Sequence, residues 1–306
     1  MPIRARSAAT SQQGFVLVAV LWLLAALALL VTVFAVHLSN SARALSLNDG
    51  ALKTEALVSA GIELAAYRLQ LYDEDKRPSQ DAFHVRLSGA DLTVSAITEA
   101  ARVDLNTAPK ELLAGLLTVL GAGEDEAKQG TERIIGWRSK SGTDDSSKED
   151  ALYQAAGRTY GPRGAPFAHV NELALVLNLQ PALVERLLPY VTVFSGAASV
   201  DVLTAPAEII AALPGMTPLK LKQFLGDRGS LVNDTAAIAA ALGGGAGGDA
   251  TKQTSTAYRI LVRLRFPDGR ETASEVVIGL RSKDVPYRVL SWQNNVPARP
   301  RARAEL

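Results

Sequence analysis

The stretch FVLVAVLWLLAALALLVTVFAV, residues 15–36, decides how this chain is organised. It contains 22 residues and no charged side chain. At about 1.5 Å of rise per residue, a helix of this length covers about 33 Å, enough to cross about 30 Å of hydrocarbon. The polar residues 1–14 before it include Arg4 and Arg6. Because positive residues flank the cytoplasmic end of a span, we expect the N-terminus in the cytoplasm and the chain after about His37 outside it.

Three interpretations of this segment are open from the residues alone. A secretory signal peptide usually has a shorter apolar part, although the small residues Asn40-Ser41-Ala42 offer a cleavage site. An uncleaved anchor needs no processing. A pilin-type leader is cut on the cytoplasmic side of the apolar helix, and the pair Gly14-Phe15 favours this interpretation. A flexible glycine before the scissile bond lets an extended chain enter a protease.

The Gly14-Phe15 pair resembles the prepilin-peptidase site of type IV pilins and type II secretion pseudopilins. The resemblance implies cleavage after Gly14 and N-methylation of Phe15. Most pilins carry a glutamate at the fifth mature position, where this sequence has Ala19. An ionisable group in hydrocarbon is costly unless it is paired, and a subunit at a filament end has no neighbour above it that needs the carboxylate. Its absence is typical of the K-type minor pseudopilins.

The N-terminal helix is predicted to continue beyond the membrane, over about residues 15–72. Apolar residues recur at spacings of three and four and predict one face that packs on a globular body. They are Leu57, Ala60, Leu64, Tyr67 and Leu71. The charged run that follows ends at Pro78, which disfavours further helix.

Alternating apolar residues predict an antiparallel sheet built from two distant parts of the chain. Residues 83–98 predict a hairpin that turns at residues 88–91. Residues 258–266 and 271–280 predict a second hairpin around residues 267–270, with a third strand near residues 287–292. A helix packed across one antiparallel sheet would form the core.

The middle of the chain is predicted to be helical and contains an internal repeat. The segment VDLNTAPKELLA, residues 103–114, recurs 97 residues later as VDVLTAPAEIIA, residues 200–211. Threonine is a good N-cap, proline suits the first helical turn, and glutamate is stabilised near the positive end of a helix. We therefore predict that Thr107 and Thr204 cap two equivalent helices.

The order of these parts resembles general secretion pathway protein K (GspK), a family of large minor pseudopilins with a helical domain inserted into a pilin-like body. The motifs are LNTAP at 105–109, EDALY at 149–153, Tyr160 to Pro162 before Glu172-Leu173, and LPYVT at 188–192. The resemblance implies an α+β fold with a long N-terminal transmembrane helix, a pilin-like antiparallel sheet body and a large inserted all-helical domain. The predicted segments are a leader at 1–14, the transmembrane and pilin helix at 15–72, the first part of the body at 73–101, the inserted helical domain at 102–252, the C-terminal strands of the body at 253–292 and a tail at 293–306.

The resemblance also implies a function. The chain would be a minor pseudopilin that caps the pseudopilus tip, in a machine that exports folded proteins across the outer membrane. Its partners would be other minor pseudopilins of the I, J and H types, the major pseudopilin filament, prepilin peptidase, and membrane lipid through residues 15–37. It would be a single-pass inner-membrane protein with a cytoplasmic N-terminus and a periplasmic ectodomain.

Two other functional classes remain open. Degenerate helix-hairpin-helix repeats would make the chain a membrane-anchored DNA-binding protein, with hairpins at residues 120–123 and 213–217. However, no nucleic acid is expected as a partner, because the net charge is +1 and the hairpins are not basic. A signal-cleaved secreted protein would instead begin near Arg43 and leave the membrane.

An acidic cluster is the one candidate metal site in the sequence. Asp144, Asp145, Glu149 and Asp150 fall within seven residues, and calcium prefers oxygen ligands. The family resemblance implies calcium in the helical domain, whereas the alternative is a solvated acidic loop. Acidic residues that the family tends to carry after the tryptophan are replaced by Arg138 and its neighbours here.

Enzymatic activity is not expected. The chain has no cysteine, which excludes disulfides, thiolate zinc sites and a cysteine nucleophile. The glycines Gly243, Gly245 and Gly248 fit a dinucleotide-binding pattern, but a helical pattern rather than a strand precedes them. No cofactor other than calcium is predicted.

Overall fold

The computed structural model describes residues 13–140, 144–231, 235–243, 250–251, 255–280 and 285–297. The chain divides into two compact units at Ala56 and Leu57. The longer elements run in the order α1 (Gln13–Gln70), β1 (Gln80–Leu87), β2 (Ala90–Thr98), β3 (Val103–Asp104), α2 (Lys110–Val119), α3 (Glu124–Arg138), α4 (Asp144–Ala155), α5 (Pro181–Leu187), β4 (Val191–Thr192), β5 (Val200–Asp201), α6 (Ala207–Ala211), α7 (Pro218–Asp227), α8 (Thr235–Ala241), β6 (Ala250–Thr251), β7 (Ala257–Arg265), β8 (Glu271–Gly279) and β9 (Arg288–Asn294).

The first unit contains the N-terminal part of α1. Within it, Val16–Ser39 has a mean hydropathy of 3.0 over its most apolar window, and none of that window is buried inside the protein. Among the described residues this is the one helix that is long and apolar enough to cross a membrane. Its length and composition fit the predicted span, because an exposed surface of this kind is stable only in an apolar solvent.

The sheet body of the second unit is one antiparallel sheet with a helix on one face. The strand order is β1-β2-β7-β8-β9, so the two ends of the chain contribute to one sheet. The residues of α1 that are buried against it are Val58, Ile62, Ala65, Ala66 and Leu69. A side chain at Gly61 would lie 3.1 Å from Val262, and this glycine therefore lets the helix lie close to the sheet.

The predicted strands and turns are present. β1 and β2 form a hairpin that turns at Ser88-Gly89, where both residues have a positive φ. β7 and β8 form the second hairpin, with Gly269 at a φ of 81° in its turn. β9 lies at the sheet edge and extends two residues beyond the predicted end of the third strand. Fold class, as an α+β protein with a long apolar helix, is confirmed.

The predicted core face of the helix is wrong. Leu57 is buried, but Leu64, Tyr67 and Leu71 are 38%, 64% and 65% exposed. The sequence offered two apolar faces, and the face that packs is the one with the small residues Ala65 and Ala66. Small side chains let a helix approach a sheet closely, whereas the spacing of apolar residues alone favours neither face.

The helical part of the second unit has a core of its own and is built from two copies of one motif. β3 pairs with β4, and β5 pairs with β6, both in parallel. Each of β3 and β5 leads through a turn into a helix of the repeat, α2 or α6. A side chain at Gly115 of α2 would meet the carbonyl oxygen of Ala212 at 2.2 Å, so the two copies are in direct backbone contact.

The predicted threonine caps are wrong. The N-cap residues of α2 and α6 are Pro109 and Pro206, and neither helix has a side-chain cap. Thr107 Oγ1 instead donates to the carbonyl oxygen of Ala197 at 2.6 Å. Thr204 Oγ1 donates to Asp201 Oδ2 at 2.7 Å. The threonines lie too early in the chain to cap, because a turn separates each of them from its helix.

Buried aspartates organise these turns instead. Asp104 Oδ1 accepts from the backbone N–H of Asn106 at 2.8 Å, and Asp201 Oδ1 accepts from that of Leu203 at 3.2 Å. Aspartate commonly bonds to the backbone two residues further on, and it thereby fixes a turn. The repeat therefore preserves the aspartate for local structure.

Candidate functional site

The predicted processing residues lie at the start of α1. The helix begins at Gln13, and its first turn contains the backbone of Gly14 and Phe15. Ala19 is an exposed position of the apolar segment that follows. Cleavage after Gly14 and methylation of Phe15 stay predictions, since they depend on an enzyme that acts on this segment.

An exposed apolar stripe follows α1 on the side away from the sheet. We call Leu64, Tyr67 and Leu71 the outer stripe; they lie at helical spacings of three and four residues, so they share one face. Polar contacts border the stripe on both sides. Tyr287 donates to Glu63 at 2.8 Å on one side, and Arg68 pairs with Asp81 at 2.7 Å on the other. An exposed apolar surface with a polar rim is typical of a protein-binding site.

The acidic cluster is only partly described. The backbones of Asp144 and Asp145 lie in the first turn of α4, and their side chains lie outside the described part. Glu149 is buried, and its Oε2 accepts from Arg133 at 2.9 Å. Its Oε1 is buried without a hydrogen-bond partner, and burial raises the pKa of this carboxyl above its ordinary value. Asp150 is exposed and lies against Gly161.

Two members of the predicted cluster, Glu149 and Asp150, have described side chains. Glu149 Oε1 is an oxygen that lacks a partner, which fits a hard cation. Arg133 works against a cation, because its charge lies on the other oxygen of the same carboxylate. Among the residues with described side chains, no three acidic or histidine side chains come together. The predicted four-residue site stays untested, because the side chains of Asp144 and Asp145 lie outside the described part, and calcium stays a proposal.

Arg138 has a structural role. Its guanidinium donates to the carbonyl oxygens of Leu105 and, at 2.9 Å, of Ala108. In the second copy, Arg228 donates to the carbonyl oxygen of Ala205 at 2.8 Å. Ala108 and Ala205 are equivalent positions of the repeat, so both copies use an arginine from a later helix to hold the same turn. The equivalence of the two arginines is not visible in the sequence, because they are not separated by the repeat spacing.

The first helix hairpin has little capacity to bind phosphate. In the first hairpin, the N–H groups of Gly121 and Ala122 donate to carbonyl oxygens of α2 at 2.9 and 3.0 Å. The next helix begins with Glu124, Asp125 and Glu126, whose charges repel an anion at the helix N-terminus. The amides of this first hairpin are thus already bonded within the chain, and its flanking charge has the wrong sign. The helix after the second hairpin differs, because it carries Lys220 and Lys222 and no acidic residue in its first turn.

The sequence also does not reveal a buried carboxylate, Glu99, that contacts both the sheet and the helical part. Glu99 is fully buried directly after β2, and Arg259 of β7 binds both of its oxygens, at 2.7 and 3.1 Å. Arg102 contacts it at 3.3 Å, and Thr192 of β4 donates to it. Burial by itself would raise the pKa of Glu99, but the charge and hydrogen bonds of Arg259, with those of Arg102 and Thr192, hold it below its ordinary value. This network, which we call the Glu99 network, joins the sheet to the helical part.

A family model matches part of the chain. Residues 91–196 match the family model described as type II secretion system (T2SS), protein K. No curated protein matches the chain. Among solved structures, a chain in the crystal structure of the GspK-GspI-GspJ complex from the enterotoxigenic Escherichia coli type 2 secretion system is 14% identical, with a TM-score of 0.56. The alignment covers 79% of this chain and 95% of that chain.

The solved structure, at 14% identity, shows a shared fold. The family match links part of that fold to protein K of the type II secretion system. The matched residues include most of β2 and the first copy of the repeat, where the sequence motifs that carry the resemblance are concentrated. The apolar N-terminal helix is consistent with membrane anchoring. These findings together support the assignment of the chain to the GspK-type minor pseudopilins of the type II secretion system.

Proposed function

We propose that this minor pseudopilin assembles with companion pseudopilins of the I and J types and caps the pseudopilus tip during export of folded proteins. The observation that carries the proposal is the outer stripe, an apolar helix face that the body leaves exposed. Burying apolar surface is the main driving force of protein association, so the stripe is stabilised when a companion covers it. The crystal structure of similar fold is that of a complex with GspI and GspJ, which supports these partners.

Two features support a position at the tip. The helical part is large beside the sheet body, and a bulky insertion fits the end of a thin filament better than its interior. Ala19 stands where most pilins have the glutamate, and an end subunit has no neighbour above it that needs this carboxylate. Contacts with an H-type pseudopilin and the major filament would then lie below the tip.

The membrane arrangement belongs to the same proposal. Prepilin peptidase would cut after Gly14, and residues 15–37 would stay in the inner membrane. The basic residues before the span support a cytoplasmic N-terminus and a periplasmic ectodomain. The protein would act as a structural component without catalytic activity, since its family is part of a secretion apparatus.

Co-purification tests the assembly surface. The full-length chain is produced with I-type and J-type pseudopilins in membranes, solubilised, and isolated through a tag on this chain. The double variant Tyr67→Asp and Leu71→Asp should retain less than about a tenth of the companions, because two charges would be buried in an apolar contact. The control is Leu219→Asp on α7, which is 76% exposed and lies far from the stripe in sequence. Retention of both companions by the double variant would contradict the proposed surface.

Calcium binding is tested through stability. Thermal unfolding of the full-length chain in detergent should shift upward with calcium chloride and less with magnesium chloride, because a ligand that binds only the folded state stabilises it. Glu149→Gln should remove the shift, while Glu132→Gln, at an exposed residue paired with Lys110, should preserve it. An unchanged unfolding midpoint in the original protein would contradict calcium binding at the cluster.

A further inference from the structure

The face of the sheet that α1 does not cover carries a groove. It has a volume of about 420 Å³ and is lined by strands β1, β2, β7 and β8. Its polar lining includes His84, Thr93, Arg263, Arg265 and Glu271. A volume of this size suits a side chain or a short peptide segment. The groove and the outer stripe lie on opposite sides of the sheet body, so a partner bound at one leaves the other accessible.

Arg263 of β7 is one of the residues that line this groove. The register places it between Thr93 on β2 and Ala273 on β8, two small side chains. It is half-buried, so the surrounding protein already removes part of its water. A partly desolvated cation gains more from a carboxylate than a fully exposed one does.

The other charged groups along the groove are paired. Arg265 binds Glu271 at 2.7 Å. Asp91 has His84 and Arg86 within 3.9 and 3.8 Å. Arg263, in contrast, forms no ion pair or hydrogen bond through its side chain with any residue of the described ranges. The groove therefore holds one positive charge that the surrounding described residues do not balance.

Another arginine on β7, Arg259, has carboxylate partners among the described residues, in contrast to Arg263. Arg259 lies on the same face of β7, four residues earlier, and its guanidinium is bound by Glu99 and Glu275. Directly across from Arg263, β8 has Ala273, and the carboxylate at the position equivalent to Glu275 is Glu271, which Arg265 binds instead. The guanidinium group is a planar fork that binds a carboxylate through two parallel hydrogen bonds.

We propose that this groove binds a carboxylate side chain presented by an acidic segment of a protein partner, with Arg263 as the anchoring residue. The hydroxyl of Thr93, across from Arg263 on β2, lies 3.4 Å from His84 Nδ1. The inference is independent of the proposed assembly surface, because the outer stripe contributes no residue to the groove.

The test uses the full-length chain in detergent and a fluorescent, end-blocked peptide with the sequence SEEDS. Fluorescence anisotropy should show saturable binding at peptide concentrations up to about 1 mM, and the amide counterpart SQQNS should bind at least about tenfold more weakly. Arg263→Gln should weaken binding of the acidic peptide about tenfold or more, and Arg263→Lys should have an intermediate effect because it keeps the charge and loses the fork. The matched control is Arg158→Gln, which removes the same charge at an exposed position of the helical part.

Several results would overturn the proposal. One is the absence of binding to the original protein, and another is an equal loss in the Arg263→Gln and Arg158→Gln variants, which would indicate general charge attraction. Displacement of the peptide by an equal concentration of inorganic phosphate would indicate a small-anion site instead. Self-association that disappears in Arg263→Gln, measured by sedimentation, would assign the groove to a second copy of this chain.

Discussion

The Glu99 network makes a quantitative prediction about how the helical part is held on the sheet. Arg259→Met removes the residue that binds both oxygens of a fully buried carboxylate. Loss of one member of a buried ion pair typically costs about 3–5 kcal/mol, because the other charge remains without compensation. Arg102 still contacts Glu99 in this variant, so we expect a loss near the lower end, about 3 kcal/mol.

Thermal and urea unfolding of the full-length protein in detergent measure this loss. For a unit of this size, each kcal/mol shifts the midpoint by about 2–4 °C, so the variant should unfold about 6–12 °C lower. The control is Arg265→Met, which removes an exposed ion pair with Glu271 and should cost less than about 1 kcal/mol. Equal stability of the Arg259→Met variant and the original protein would refute the claim that this network stabilises the fold.

Three further predictions follow from the described contacts. The pKa of Glu99 is lower in the folded protein than its ordinary value of about 4.3, so the network stabilises the fold fully above that pH. This stabilisation is lost as the pH falls through the lower pKa of the folded state. The difference in stability between the original protein and Arg259→Met should therefore shrink in acid-unfolding curves. Gly115→Ala should destabilise the protein by about 1–3 kcal/mol in urea titrations, because its new methyl group would meet a backbone carbonyl at 2.2 Å. The control Gly123→Ala should change stability far less, because no atom lies within 4 Å of its new methyl group. Arg138→Met should cost about 1–3 kcal/mol by the same titration because it leaves buried carbonyl groups of the first repeat turn without a donor, and an unchanged midpoint would contradict the role assigned to this arginine.

The sequence predicted the parts of the fold that local patterns control. The apolar span, the two hairpins and the repeat were each visible as a periodicity, a turn motif or a recurrence. The buried face of α1 was not, because Leu64 and Leu71 are as apolar as the residues that pack. The face with Ala65 and Ala66 packs because its small side chains let the helix lie close to the sheet. That fit depends on the tertiary structure and is not visible in the sequence.

The charged residues show the same limit. Glu99 and Arg259 are separated by 160 residues, and only the strand register brings them together. Arg263 has no distinguishing sequence context, since only the strand register shows that Arg265 rather than Arg263 binds Glu271. Two candidate residues proposed from local clustering, Asp144 and Asp145, have side chains outside the described part of the chain, so only Glu149 and Asp150 of the acidic site are described.

The most direct test of the central claim is the N-terminus of the native protein, measured by mass spectrometry in cells with and without a functional prepilin peptidase. The account predicts a peptidase-dependent N-terminus at Phe15 that carries one additional methyl group. A protein that retains Met1, or one that begins near residue 43 whether or not the peptidase is present, would contradict the assignment to the pseudopilin pathway.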